Sequence, residues 1–230
     1  MHSSHRDIVV QKPWGYEYLV YESKDVALWL LYIEKGKGTS LHCHPLKTTG
    51  LLLLEGEAEI SFIADRKIIS APSKEMIRRG LFHSTTALSE GGAYLLEIET
   101  PNDKEDLVRL TDNYGRSHDG YEKKNQWFPR DNSHIWVEVD PATGPQTFTV
   151  SNSTFEVFMM EDLTELFHIP DDEIIMFLQG GIGKSINGRQ HLATVPGDIG
   201  LASIVKTVAR EMEYCAPNTT ILKVSPSESI

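Results

Sequence analysis

His42 and His44 stand two residues apart in a segment expected to be extended, so both imidazoles leave the same face of the chain. Two imidazoles on one face can supply two ligands to a divalent cation. With 9 histidines in 230 residues, such a pair also arises by chance, as two polar residues on a solvated strand edge. Glu97 and Glu99 form a second set: they alternate with Leu96 and Ile98 and therefore share one face of a strand over 93–99. Facing inward, either carboxylate suits the general base that aldose–ketose isomerisation requires, shuttling a proton between adjacent carbons. Facing outward, both are ordinary strand acids, and the alternation does not choose between the two. Glu55 and Glu57 flank Gly56 and are expected at the surface of a turn. Cys43, between the two histidines, points to the opposite face and reads as a small core residue.

The frame around the histidine pair adds a third candidate. The stretch GKGTSLHCHPLKTTGLLLLEG (36–56) and the later RRGLFHSTTA (78–87), which carries His83, resemble the two motifs of the cupin superfamily. The first family motif runs Gly, five residues, His-x-His, three or four residues, Glu, six residues, Gly; the second ends Pro-x-Gly, two residues, His, three residues, Asn. The resemblance implies a small β-barrel in which His42, His44 and His83 converge facially on one divalent ion (Zn, Mn, Ni or Fe), leaving positions open for substrate. Three positions depart from the pattern: Thr49 stands at the motif glutamate, Arg78 at the proline and Ala87 at the asparagine. A three-histidine site without the carboxylate is neutral, so the ion keeps its full charge and is the stronger Lewis acid, but it is held less tightly.

A closer resemblance covers residues 11–116. KPWGYEYLV, HPLK, LLEIETP and EDLVRLTDNYGR are similar to the C-terminal cupin domain of type II mannose-6-phosphate isomerases. This implies a sugar-phosphate or nucleotide-sugar setting. Lys47, Arg78 and Arg79 follow the two motif segments expected to line the barrel mouth, where they could hold an anionic group; Lys47, Thr49 and Arg78 are the substrate-binding candidates. Their plain alternative is a solvated surface charge.

The elements that must position these residues are short. Apolar runs of four to eight residues, punctuated by Gly, Pro, Asn or Asp, occur at 15–21, 26–34, 51–54, 57–63, 93–99, 134–139, 146–150, 155–160, 174–178, 192–195 and 219–224. That is a strand-and-turn signature. Only 103–113 and 161–167 suit short helices. The polar stretch 111–132 separates two blocks of strands. LLLLEGEAEI and IIMFLQGGIGKSI, each a strand ending in a Gly-rich turn, hint at an internal duplication. The expected fold is an all-β bicupin of two small antiparallel barrels or jelly rolls: a metal-binding cupin over 1–120 and a diverged cupin over 121–230. On the same template the second half offers Glu173 and His168, but Leu166 and Val208 fall at the other two ligand positions, so a full metal site is not expected there.

Composition narrows the function. Net charge is −11, which argues against nucleic acid or an anionic membrane as the main partner, because both need a basic footprint. The longest apolar runs, Ala27–Ile33 and Leu51–Leu54, are far below the roughly 20 residues of a membrane span. No signal-like stretch opens the sequence, so the cytoplasm is the expected compartment. Two distant cysteines make no disulfide scaffold. His118, His134 and His191 lack ligand spacing, and His2 and His5 are expected on a mobile terminus. The leading expectation is a metal-dependent enzyme acting on a sugar or sugar phosphate, an isomerase or epimerase in glycan or nucleotide-sugar metabolism, working as a homodimer. The alternatives are a three-histidine Fe(II) dioxygenase and a non-catalytic sugar-binding cupin.

Overall fold

A computed structural model describes residues 5, 7–116, 121, 124–131 and 133–225. The chain divides into two compact units, Met1–Glu138 and Val139–Ile230. Both are built from antiparallel sheets, so the all-β expectation and the tandem order hold.

The first unit begins with β1 (Ile8–Lys12), β2 (Gly15–Glu22), β3 (Ala27–Ile33) and β4 (Leu41–Cys43). It continues with β5 (Thr48–Glu55), β6 (Glu57–Phe62), β7 (Arg66–Ser70) and β8 (Ser73–Ile77), then β9 (His83–Ala87), β10 (Ala93–Thr100), β11 (Val108–Thr111) and β12 (Trp127–Pro129). One sheet has the order β12-β1-β2-β3-β10-β5-β8 and the other β11-β4-β9-β6-β7. A shared core includes Trp29, Leu31, Ile33, Leu51, Leu53 and Leu95 from the first sheet and Ala58, Ile60, Ile69 and Ala87 from the second. The opposite face of the first sheet is buried as well, with Leu28, Leu30, Leu52, Leu54, Leu96 and Ile98 all at 0 % exposure. Burial on both faces explains why β3 and β5 are nearly unbroken apolar runs with little alternation.

Along the core-facing side of the large sheet, the residue type changes from one end to the other. On β10 the face that carries Ala93 and Leu95 continues through Glu97 and Glu99; on β5 the face of Leu53 and Leu51 continues to Thr49. The sheets thus enclose apolar packing at one end and a polar cavity at the other. Gly15 ends the β1–β2 turn at φ +146°, where a Cβ would sit 2.0 Å from the Tyr32 carbonyl oxygen; only glycine lets β2 approach β3 there.

The second unit holds β13 (Gln146–Val150), β14 (Ser153–Met159), β15 (Ile174–Gln179), β16 (Ile182–Ile186), β17 (Arg189–Leu192), β18 (Ile199–Leu201), β19 (Tyr214–Cys215) and β20 (Thr220–Val224). Its sheets run β13-β14-β20-β15-β18 and β17-β16-β19. The helix α1 (Ala202–Ala209) buries Ala202, Val205 and Ala209, one face at helical spacing, against Leu166, Ile175 and Phe177.

Four expectations change. The segment 103–113 forms no helix, because β11 pairs with β4 and the residues before it are tied to the β4–β5 loop by Asp106, whose Oδ2 accepts from the backbone N–H groups of Leu46 and Lys47 at 2.9 Å. The 161–167 helix exists as a 3₁₀ turn, Leu163–His168, started by an Asp162–Glu165 capping box. No strand forms at 134–139; instead Ile135 accepts from the Tyr18 hydroxyl at 2.7 Å and Val137 donates to it at 3.0 Å. That link, with the pairing of β12 to β1, places 121–138 in the first unit, so the division falls at 138/139 and not at 120.

Candidate metal centre

His42 on β4 lies directly opposite His83 on β9 in the strand register, and His44 follows β4 on the same face. The turn before β9 is fastened to this region: Gly80, at φ +70°, donates its backbone N–H to the His44 carbonyl at 2.8 Å. The three rings meet, with centroid separations of 4.4 Å (His42–His83), 4.9 Å (His42–His44) and 5.5 Å (His44–His83). One nitrogen from each lies within 4.8 Å of the others, and all three residues are buried.

The tautomers are fixed by backbone carbonyls. His42 Nδ1 donates to Ser40 O at 2.7 Å, His44 Nδ1 to Asp106 O at 2.6 Å and His83 Nδ1 to Leu81 O at 3.0 Å. A carbonyl only accepts, so the proton sits on Nδ1 and each Nε2 keeps its lone pair for a cation. His44 Nε2 is buried with no hydrogen-bond partner among the described residues. Burial pushes all three histidines below the ordinary imidazole range, His44 to about 3 and His83 to about 4. All are neutral at pH 7, the form that ligates a metal. The donor set therefore fits a divalent ion, which His42, His44 and His83 would hold.

The same cavity, about 60 Å³, contains a chain of alternating buried charges. Lys12 pairs with Glu17 at 3.2 Å, Lys104 bridges Glu17 and Glu99 at 3.4 and 3.2 Å, and Lys47 reaches Glu99 at 2.7 Å. The Tyr121 hydroxyl donates to Glu17, and the Lys104 ammonium lies 3.9 Å from the centre of the Trp29 ring. Burial alone would raise the acids, but Lys104 with Lys12 or Lys47 more than offsets it, so Glu17 and Glu99 stay below the ordinary carboxylate range. Replacing Lys104 by Met strands two buried carboxylates, and we expect a loss of about 3–5 kcal/mol at pH 7 by urea unfolding. An unchanged midpoint would show that the chain of charges does not depend on its centre.

Glu97 differs from its neighbours. It lines the cavity at 8 % exposure, and no ion pair or hydrogen bond holds it among the described residues. Burial, reinforced by the charges of Glu99 and Glu17 and only partly relieved by Lys104, pushes it up to about 7.

Of the substrate-binding candidates, only some reach the cavity. Lys47 lines it, but its ammonium is engaged by Glu99 and by the Asp103 carbonyl at 3.0 Å, so it does not project to the mouth as a free cation. Thr49 is fully buried on β5, opposite Glu99 in register. Arg78 and Arg79 are exposed and do not line the cavity, because β8 ends at Ile77 and the turn to Gly80 swings outward. Glu97 and Glu99 both face inward. Cys43 is buried on the other face, as its position between the two ligands implies. His5 is not on a free terminus: its ring packs 4.6 Å from Trp127 and 5.3 Å from Trp29. His2 and His118 lie outside the described residues. His134 bonds Asp131 at 3.0 Å, and His191 is exposed on β17.

Lys12, Glu17, Lys104, Arg109 and Tyr121 also line the cavity without having been singled out in the sequence. Arg109 lies opposite His42 in register on β11. A signal existed for Glu17, an acid set within the apolar run GYEYLVYE. In the second unit Glu173 accepts from Ser225 at 2.8 Å and pairs with Lys223 at 3.2 Å, while His168 is exposed.

No family model matches the chain, and no curated protein matches it. Among solved structures it is similar to KdgF from Halomonas sp., at 14 % identity and TM-score 0.37, over 44 % of this chain and 87 % of that one. A conserved protein with a double-stranded beta-helix domain from Klebsiella pneumoniae is similar at 15 % identity and TM-score 0.39, over 42 % and 84 %. A cupin-2 domain containing protein from Shewanella frigidimarina is similar at 20 % identity and TM-score 0.33, over 36 % and 78 %.

Proposed function

We propose that the first unit is a metal-dependent cupin enzyme acting on a sugar or sugar phosphate, as an isomerase or epimerase. The observation that carries this reading is one cavity holding both three convergent bare imidazole nitrogens and an unpaired buried carboxylate, Glu97, poised near neutrality. When bound, the ion (Zn, Mn, Ni or Fe) supplies Lewis-acid polarisation of a carbonyl or hydroxyl oxygen. Glu97 takes the proton from the hydroxyl-bearing carbon next to that carbonyl and delivers it to the former carbonyl carbon, while the hydroxyl proton passes to the carbonyl oxygen; a base near 7 is matched to that task at neutral pH. Glu99 cannot share that task, since Lys47 and Lys104 hold it ionised. The cavity's lysines and the inward Arg109 give an anionic sugar derivative a favourable field.

The test is exchange of the substrate's C2 hydrogen with solvent deuterium, screened over hexose and pentose phosphates with the metal site loaded. Exchange with one sugar class is expected; loaded protein that exchanges none would overturn the isomerase reading. A second reading, an Fe(II) dioxygenase, is favoured by one observation: the convergent ligand set contains three histidines and no carboxylate. Iron in protein purified without added metal, together with substrate-dependent oxygen uptake, would support it; zinc, manganese or nickel would support the isomerase.

A further inference from the structure

Two more buried polar atoms, one of them on a residue that lines the cavity, have no hydrogen-bond partner among the described residues. Glu99, 2 % exposed, divides its carboxylate: Oε1 accepts from Lys47 at 2.7 Å and Lys104 at 3.2 Å, while Oε2 has no hydrogen-bond partner among the described residues. Thr49, 0 % exposed, has an Oγ1 that is also unpartnered. The two residues lie directly opposite each other on β10 and β5; Glu99 lines the cavity, and Thr49 lies on the face of β5 whose Leu51 lines it. A buried carboxylate oxygen and a buried hydroxyl left open are each destabilising, the charged group more so, and side by side they mark a place where a polar ligand belongs. His44 Nε2, also without a hydrogen-bond partner among the described residues, belongs to the cation site.

We propose that Glu99 and Thr49 are positioning residues of the cation site: Glu99 Oε2 and Thr49 Oγ1 hold a water of the ion's shell. Glu99 stands outside the set of mutually close ligand atoms, so it acts through water and not as a fourth direct ligand. Three neutral imidazoles leave a divalent charge uncompensated in a buried place, and the open oxygen of Glu99 supplies negative charge and an acceptor there. Lys47 and Lys104 then have a second purpose, since by anchoring Oε1 they fix where Oε2 points. The inference rests on the reading of the three histidines as cation ligands.

Calorimetric titration of the full chain with Zn²⁺ tests both separately. The unsubstituted chain should bind Zn²⁺, Glu99→Gln should bind it about 10–100-fold more weakly, and Thr49→Val about threefold to tenfold more weakly, the worth of one hydrogen bond. In the Co²⁺-loaded chain, the visible absorption bands should shift in Glu99→Gln. Unchanged Zn²⁺ affinity and unchanged bands in a folded Glu99→Gln chain would overturn the inference alone. If that variant does not fold, unchanged affinity in Thr49→Val overturns it equally. An unsubstituted chain that takes up no Zn²⁺ overturns the histidine reading and, with it, this one.

Discussion

Replacing His83 by Ala should weaken binding of Zn²⁺ or Mn²⁺ by roughly two orders of magnitude or more while leaving the chain folded. The cation loses one of three ligands, and a vacancy on β9 is not refilled by His42 or His44, whose rings are pinned through Nδ1 to Ser40 O and Asp106 O. The fold survives because its stability comes from the apolar layer between the two sheets, at about 25 cal/mol per Å² of buried apolar surface, and the histidines lie at the cavity end. Calorimetric titration gives the affinity and far-ultraviolet circular dichroism the fold. Complete unfolding of the variant would instead mark a structural ion, and full affinity would remove His83 from the ligand set.

Glu97→Gln should have the second large effect, and it acts in two directions. C2 exchange should fall by about 10²–10⁴, the usual contribution of a positioned general base, while Zn²⁺ affinity stays the same. In the parent chain, exchange should rise with pH through about 7, as the carboxyl gives up its proton and becomes a base. Stability should move the other way. The folded chain holds the Glu97 proton up to about 7 against an ordinary value of 4.5, so between these values it binds more protons than the unfolded chain. The contribution of Glu97 is fully present below 4.5 and is lost as pH rises through 7. At pH 8 the native chain therefore carries a desolvated carboxylate at a cost on the order of 3 kcal/mol, which Gln does not incur. Urea unfolding should find the variant more stable than the parent at pH 8 and equal to it at pH 4. A variant less stable at pH 8 would mean that an attraction, not desolvation, governs Glu97.

The convergence of the three histidines was legible because strand periodicity is short-range, so His-x-His in an extended segment must share a face, and because the motif resemblance pointed to His83. The carboxylates were half legible. Alternation put Glu97 and Glu99 on one face of β10, but which face looks inward depends on the neighbours β3 and β5, and both sides of that sheet turned out to be buried. The lysines were misread or missed for a different reason. A buried lysine looks in sequence like any solvated cation, and although Lys104 and Lys12 lie close in sequence to Glu99 and Glu17, it is the long-range contacts of Lys47 with Glu99 and of Lys104 with Glu17 that bury them. Arg78 failed in the opposite sense, since its place in a motif says nothing about the direction of the turn that carries it. The helix expected at 103–113 was lost to β11, whose partner β4 lies more than sixty residues upstream and is invisible to local pattern.

Strand β10 is greasy wall on one half of its inner side and polar floor on the other, with Leu96 and Ile98 packed behind. Point changes along it would each disturb one spot. Adding or deleting a single amino acid inside it would do something else: every side chain beyond that point would trade places, sending Leu96 or Ile98 among the imidazoles and burying Glu97 and Glu99 in the grease behind. This strand can therefore vary in letters but not in length, and any drift in the size of the protein must be taken up by its connecting loops.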